Sequence, residues 1–69
     1  SGKAVRSGAG AKLTWEANGL LEYTIIRVGP DGSQTEIGLV TGNSFTDPDA
    51  SQAASYIIRS ADGDLGIGF

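Results

Sequence analysis

Short segments in which apolar and polar residues alternate dominate this chain. The clearest spans residues 11–17, where Leu13 and Trp15 alternate with Thr14 and Glu16. Because successive side chains of a strand point to opposite faces, this alternation predicts a β-strand with one buried and one solvated face. No segment repeats its apolar residues at the spacing of a helix.

Six further segments carry β-branched or aromatic residues between turn-forming residues, and each is predicted to be a strand. They span residues 3–6, 20–28, 34–41, 45–47, 54–60 and 65–69. Eleven glycines punctuate the chain. Asn18-Gly19, Gly29-Pro30-Asp31-Gly32 and Asp62-Gly63-Asp64 have the residue types that favour turns, and we expect the chain to reverse at each.

Strands separated by turns roughly every 8–12 residues, without helices, are typical of a sandwich or barrel. We therefore predict an all-β fold, an antiparallel two-sheet sandwich of about six or seven strands. Residues 1–10 are an N-terminal segment or short edge strand, and residues 11–69 are the sandwich. The predicted core consists of Leu13, Trp15, Tyr23, Ile25, Ile37, Leu39, Phe45, Tyr56 and Ile58.

Composition narrows the chemistry available to this chain. It has 69 residues, no cysteine and no histidine, so it lacks a disulfide framework, a thiolate metal site and the commonest general base. Five basic and eight acidic residues give a net charge of −3, and the basic residues are scattered. Because nucleic acids and anionic membranes attract clustered positive charge, we expect neither as a partner.

Neither catalysis nor a cofactor is predicted. Glu16, Glu22 and Glu36 lie on three different segments, on faces opposite the main core residues, and a sandwich this small has no deep cleft for a carboxylate pair. Asp62 and Asp64 are candidate calcium ligands, since calcium prefers oxygen. Calcium needs six to eight oxygens and aspartate also favours turns, so a plain turn is the preferred interpretation.

Several short motifs of this chain occur in the order in which a known protein family has them. Leu13-Thr14-Trp15 resembles the second strand of fibronectin type III domains, whose tryptophan packs at the centre of the sandwich, and Tyr23-Thr24-Ile25-Ile26-Arg27 resembles their third strand. Phe45-Thr46-Asp47 resembles the segment before the loop that precedes the sixth strand. Ser55-Tyr56-Ile57-Ile58-Arg59 resembles that sixth strand, and Ala61-Asp62-Gly63 the turn after it. The chain thus resembles this immunoglobulin-like family, shortened at both edges, and especially its bacterial variety.

The resemblance implies a non-catalytic spacer or protein-interaction module in a larger secreted or cell-surface protein. Its partners would be neighbouring domains or other protein subunits. A second hypothesis is a self-assembling subunit of a filament, pilus or virion that pairs its short edge strands with another chain, most directly through residues 2–10. A third is a carbohydrate-binding module, which would need exposed aromatic rings. We expect Trp15, Tyr23, Phe45 and Tyr56 to be in the core. For Phe69, the sequence leaves open whether the ring packs on the module or on a neighbour.

Overall fold

The computed structural model describes residues Ser1–Phe69, which form seven strands and no helix. No helical segment is therefore present that is long and apolar enough to cross a membrane. The strands are β1 (Gly2–Ser7), β2 (Gly10–Trp15), β3 (Tyr23–Val28), β4 (Gln34–Val40), β5 (Ser44–Asp47), β6 (Ser55–Ser60) and β7 (Gly63–Gly68).

The seven strands form two antiparallel sheets. The three-stranded sheet has the order β1-β2-β5, and the four-stranded sheet has the order β4-β3-β6-β7. The predicted all-β sandwich is therefore confirmed. Consecutive strands within one sheet (β1 and β2, β3 and β4, β6 and β7) are joined by hairpins, and the other three connections cross from one sheet to the other.

Turn chemistry accounts for the β3–β4 hairpin. The Gly29 amide donates to the Ser33 carbonyl at 2.8 Å, and the Gly32 amide donates to the Gly29 carbonyl at 3.0 Å. Gly32 has a φ of 85°, a conformation that a side chain disfavours and that glycine adopts without penalty. The Asp31 carboxylate also accepts from the Ser33 amide, so the turn forms where the sequence predicts it.

The connection from β2 to β3 is longer than predicted. β2 ends at Trp15 and β3 begins at Tyr23, although the alternation extends over residues 11–17 and 20–28. The reason is that β2 and β3 lie in different sheets, so this connection crosses the sandwich and is not a hairpin. The Asn18 side chain accepts from the Leu20 amide at 3.0 Å, and the Asn18 amide donates to the Tyr23 hydroxyl at 2.7 Å.

The core lies between the two sheets, as predicted. Trp15 is only 4% exposed, and its ring packs against Tyr23 with centroids 5.8 Å apart. The predicted core residues Leu13, Trp15, Tyr23, Ile25, Tyr56 and Ile58 are buried, and Ile37 and Phe45 are partly buried against them. The core also includes residues that were not predicted, namely Ala4, Ala11, Ala50, Ala53 and Ile67.

Leu39 is the one predicted core residue that points to solvent, with 62% exposure. A β-bulge between β3 and β4 is the cause: Ile25 lies opposite Gly38 and Ile26 opposite Glu36, which leaves Ile37 as an extra residue. An extra residue reverses the alternation of the side chains that follow it. Val40 therefore packs against the core in place of Leu39.

Both terminal strands are longer than predicted. β1 and β7 have six residues each. β1 pairs with β2 along its whole length, from the Gly2–Trp15 pair to the Ser7–Gly10 pair, and β7 pairs with β6 in the same way. Residues 2–7 are thus an integral edge strand of the three-stranded sheet. The short last strand expected over residues 65–69 begins two residues earlier, because the turn lies at residues 61–62.

The sandwich has two ends that differ in character. The first, here called the tryptophan end, contains Gly2, Trp15 and Gly63, and the second, the aspartate end, contains Asp47 and Gly68. β1 begins at the tryptophan end, and β7 finishes at the aspartate end. The longest dimension of the molecule is 31 Å, and we take it to run along the strands, since six residues span about 20 Å before the loops are added.

The bulge generates a stability prediction. We expect Leu13→Ala to lower the free energy of unfolding by roughly 2–5 kcal/mol, because it removes a fully buried side chain. Leu39→Ala should change it by less than about 0.5 kcal/mol, because Leu39 already contacts water. Urea denaturation of both variants measures the difference. Equal losses in the two variants would contradict the bulge register.

Candidate functional site

The aspartate end contains a buried charge cluster that joins the two sheets. Asp47, on β5, is fully buried. Arg27 of β3 donates to both of its carboxylate oxygens, from Nε at 2.9 Å and from Nη2. The Tyr56 hydroxyl of β6 donates to Asp47 Oδ2 at 2.7 Å, and the Asp49 amide donates to Oδ1 at 3.0 Å.

These contacts set the protonation of the cluster. Burial raises the pKa of Asp47, but the hydrogen bonds from Arg27, Tyr56 and the Asp49 amide outweigh it and leave the pKa below its ordinary value. Burial, together with the hydrogen bond to Asp47, raises the pKa of the Tyr56 hydroxyl well above its ordinary value. At neutral pH the carboxylate is therefore ionised, and the tyrosine retains its proton.

Arg6, on β1, also forms hydrogen bonds at the aspartate end. Its guanidinium donates to the carbonyls of Ala50 and Ala53 at 2.9 and 3.0 Å, which belong to the connection between β5 and β6. The Ala50 amide donates to the Ala9 carbonyl at 2.7 Å. Because both alanines are small and buried, this connection lies close against the sheets at the aspartate end.

Phe69 is the only aromatic side chain with a large exposed area, at 48%. Arg6 lies 3.8 Å from the centre of its ring, and the edge of Tyr56 meets it at 5.6 Å between centroids. The rings of Trp15, Tyr23 and Tyr56 are buried. The structure therefore offers no row of exposed rings on which a sugar could stack.

The tryptophan end has a cleft of about 410 Å³, and a cleft of about 420 Å³ at the aspartate end is lined by Arg27 and the β3–β4 turn. Trp15, Tyr23 and Leu65 line the apolar side of the cleft at the tryptophan end, and Asn18 and Asp62 contribute polar groups. Trp15 Nε1 is the one buried side-chain polar atom without a hydrogen-bond partner. Because that nitrogen is shielded from solvent, the cleft has no exposed indole donor.

Asp62 and Asp64, the candidate calcium ligands, do not form a metal cluster with other residues. Arg59 donates to both oxygens of Asp64, at 2.8 and 3.0 Å, and this hydrogen bonding lowers the pKa of Asp64. The Asp62 amide donates to the Ser60 hydroxyl oxygen at 3.2 Å, as in a plain turn. No three acidic side chains come together anywhere in the chain.

The glutamates that the sequence offered for acid–base chemistry also stay apart from the buried cluster. Glu16 and Glu22 lie in the connection between β2 and β3, and Glu36 is on β4, all of them exposed. Glu16 contacts the amino group of Ser1 at 3.2 Å, a fully solvated pair.

Sequence analysis missed the cluster of Arg27, Asp47 and Tyr56. Asp47 and Arg27 each appear in the sequence only as part of a family motif. The alternation of strand side chains nevertheless puts Arg27 on the same face as Tyr23 and Ile25. That face was the available signal: a charged residue in line with two core residues needs a buried partner of opposite charge. Which acid supplies it depends on how the two sheets stack, and local alternation carries no such information.

No family model, curated protein or solved structure matches the chain. The chain's own motifs, its two ends and its sheet edges are therefore the features that bear on its function.

The cluster generates a prediction about the two acid–arginine pairs. Asp47→Asn should destabilise the fold by about 3 kcal/mol, because it leaves the Arg27 charge without its buried partner. Asp64→Asn is the matched control and should have little effect, because the Arg59–Asp64 pair is half exposed to water. Chemical denaturation at neutral pH compares them, and equal losses would contradict the role of Asp47.

Tyr56 generates a prediction about alkaline pH. The pKa of Tyr56 is higher in the folded state than in the unfolded state. The stabilisation that results from this difference is complete below the unfolded pKa of about 10, and it is lost as the pH rises above that value towards the folded pKa. Over that range stability should fall by up to roughly 1.4 kcal/mol per pH unit from this group alone. The Tyr56→Phe variant should lack this component of the slope. Unfolding curves at several pH values between neutral and alkaline would test it, and identical slopes would refute it.

Proposed function

We propose that this chain is a non-catalytic spacer module of a larger secreted or cell-surface protein, related to fibronectin type III domains. The observation that carries the proposal is the opposite placement of the two terminal strands. β1 enters at the tryptophan end and β7 leaves at the aspartate end, so domains joined before and after the module would be held apart along its 31 Å axis.

The positions of the motifs support the family relationship. The segments that resemble the second, third and sixth strands of fibronectin type III domains are β2, β3 and β6 of this chain. Phe45-Thr46-Asp47, which resembles the segment before the loop preceding the sixth strand, forms the last three residues of β5. These ordinal positions support the proposed relationship.

The buried bonding supports a rigid module. A spacer must resist shearing of one sheet over the other, and a purely apolar interface between sheets does so weakly because it is not directional. Arg27, Asp47 and Tyr56 join the sheets by directional, charge-assisted hydrogen bonds. Arg6 ties β1 to the connection between β5 and β6.

A fusion experiment tests the spacer function. The chain is placed between two globular reporter domains carrying spin labels, and the distance distribution is measured by pulsed electron paramagnetic resonance. We expect one narrow population, shifted outwards by about the 31 Å length of the module relative to directly joined reporters.

The matched control is a glycine–serine linker of equal residue number, which should give a broad distribution because it behaves as a flexible coil. A distribution for the module as broad as that of the linker would refute the proposal. Reporters lying side by side would refute it as well.

A further inference from the structure

We propose that the free edge of β7 is a self-association surface, where two copies of this chain pair β7 with β7 in antiparallel fashion and join their four-stranded sheets into one. This inference does not depend on the spacer function. It follows from a comparison of the four sheet edges, from the symmetry of the β7 sequence, and from the open space around its glycines.

The other three edges each carry a feature that discourages pairing with another chain. β4 has the bulge at Ile37 and the exposed charge of Glu36. β1 has Lys3 and Arg6 along its length. β5 has only four residues, and Pro48 follows it directly.

β7 has neither a bulge nor a following proline, and it carries no unpaired charge. It is a regular six-residue strand without a bulge, proline or lysine. Its one charge, Asp64, is already paired with Arg59. Alternate residues of β7 point their amides and carbonyls away from β6, because a strand at the edge of a sheet has a partner on one side only.

Two-fold symmetry restricts the possible registers. When two antiparallel edges meet about an axis normal to the sheet, core-facing residues must lie opposite core-facing residues. The register with the fullest overlap places Gly66 on the axis. Leu65 then lies opposite Ile67 of the second copy, so two apolar residues that face the core become neighbours.

The same register keeps like charges apart and places an aromatic ring beside a glycine. Asp64 lies opposite Gly68 of the second copy, so no like charges meet. Phe69, half exposed, lies opposite Gly63, whose missing side chain would meet no atom within 4 Å. An aromatic ring across from an edge glycine is a stabilising arrangement in paired strands. β7 is therefore complementary to itself, which identifies a second copy as its occupant.

Sedimentation equilibrium of the unmodified chain tests self-association. We expect a reversible dimer with a dissociation constant on the order of 0.1–1 mM, because pairing of one short strand buries less area than a standard interface. A chain that remains monomeric up to about 1 mM would overturn the proposal and leave the β7 edge to a strand from a different protein.

Gly66→Lys tests the location of the contact. It places two positive charges opposite each other on the axis, and it should weaken the dimer at least about tenfold. The monomer should tolerate it, because a side chain at Gly66 meets nothing within 4 Å. Gly19→Lys, equally open but in the connection between β2 and β3, is the charge-matched control and should dimerise as the unmodified chain does. Equal dimerisation of the two variants would overturn the proposal.

Cross-linking tests the register. The chain has no cysteine, so a single Gly66→Cys substitution gives one thiol, and the proposed pairing brings the two copies' Cα atoms to about 4.5–5.5 Å, within disulfide range. We expect mild oxidation to yield covalent dimers of this variant much faster than of Glu36→Cys on β4 or Lys3→Cys on β1. Similar rates at all three edges would indicate random collision and overturn the register.

Discussion

The buried carboxylate of Asp47 is the constraint on which the stacking of the two sheets depends. Burying a charge costs free energy unless the charge is paired and its oxygens accept hydrogen bonds. Asp47 meets that condition, because its carboxylate accepts from donors on β3, on β6 and in the loop that follows β5. A one-residue slip of β5 would turn Asp47 outward. It would also leave Arg27 facing the core alone, so the cluster fixes the register of one sheet against the other.

A fixed register matters in a domain this small. The core cluster has only 11 buried residues, four of them alanines, and a chain as short as this one buries a modest share of its surface. Small side chains bring the sheets and the connection between β5 and β6 close together without specifying how they align. Directional bonds to Asp47 and from Arg6 supply the alignment that the apolar contacts lack.

Local pattern was enough to predict the strands, the sandwich and most of the core, because alternation and turn residues act over a few positions. Leu39 was placed wrongly because a bulge depends on the pairing partner, which the strand's own sequence does not reveal. The cluster was missed for a similar reason. Arg27 and Asp47 are 20 residues apart, and Arg6 and Ala50 are 44 apart, so their contacts exist only after the sheets have stacked.

The ends and the lateral edges of the sandwich are geometrically independent. Under the proposed spacer function, chain direction would put neighbouring domains beyond the tryptophan and aspartate ends, along the strand axis, whereas backbone pairing at β7 acts at right angles to that axis. A second copy at the edge would therefore leave both ends accessible. It would also place the two copies antiparallel, with the aspartate end of one beside the tryptophan end of the other. In a protein that presents such modules from a surface, this arrangement would favour contact between oppositely directed chains over contact between neighbours that point the same way.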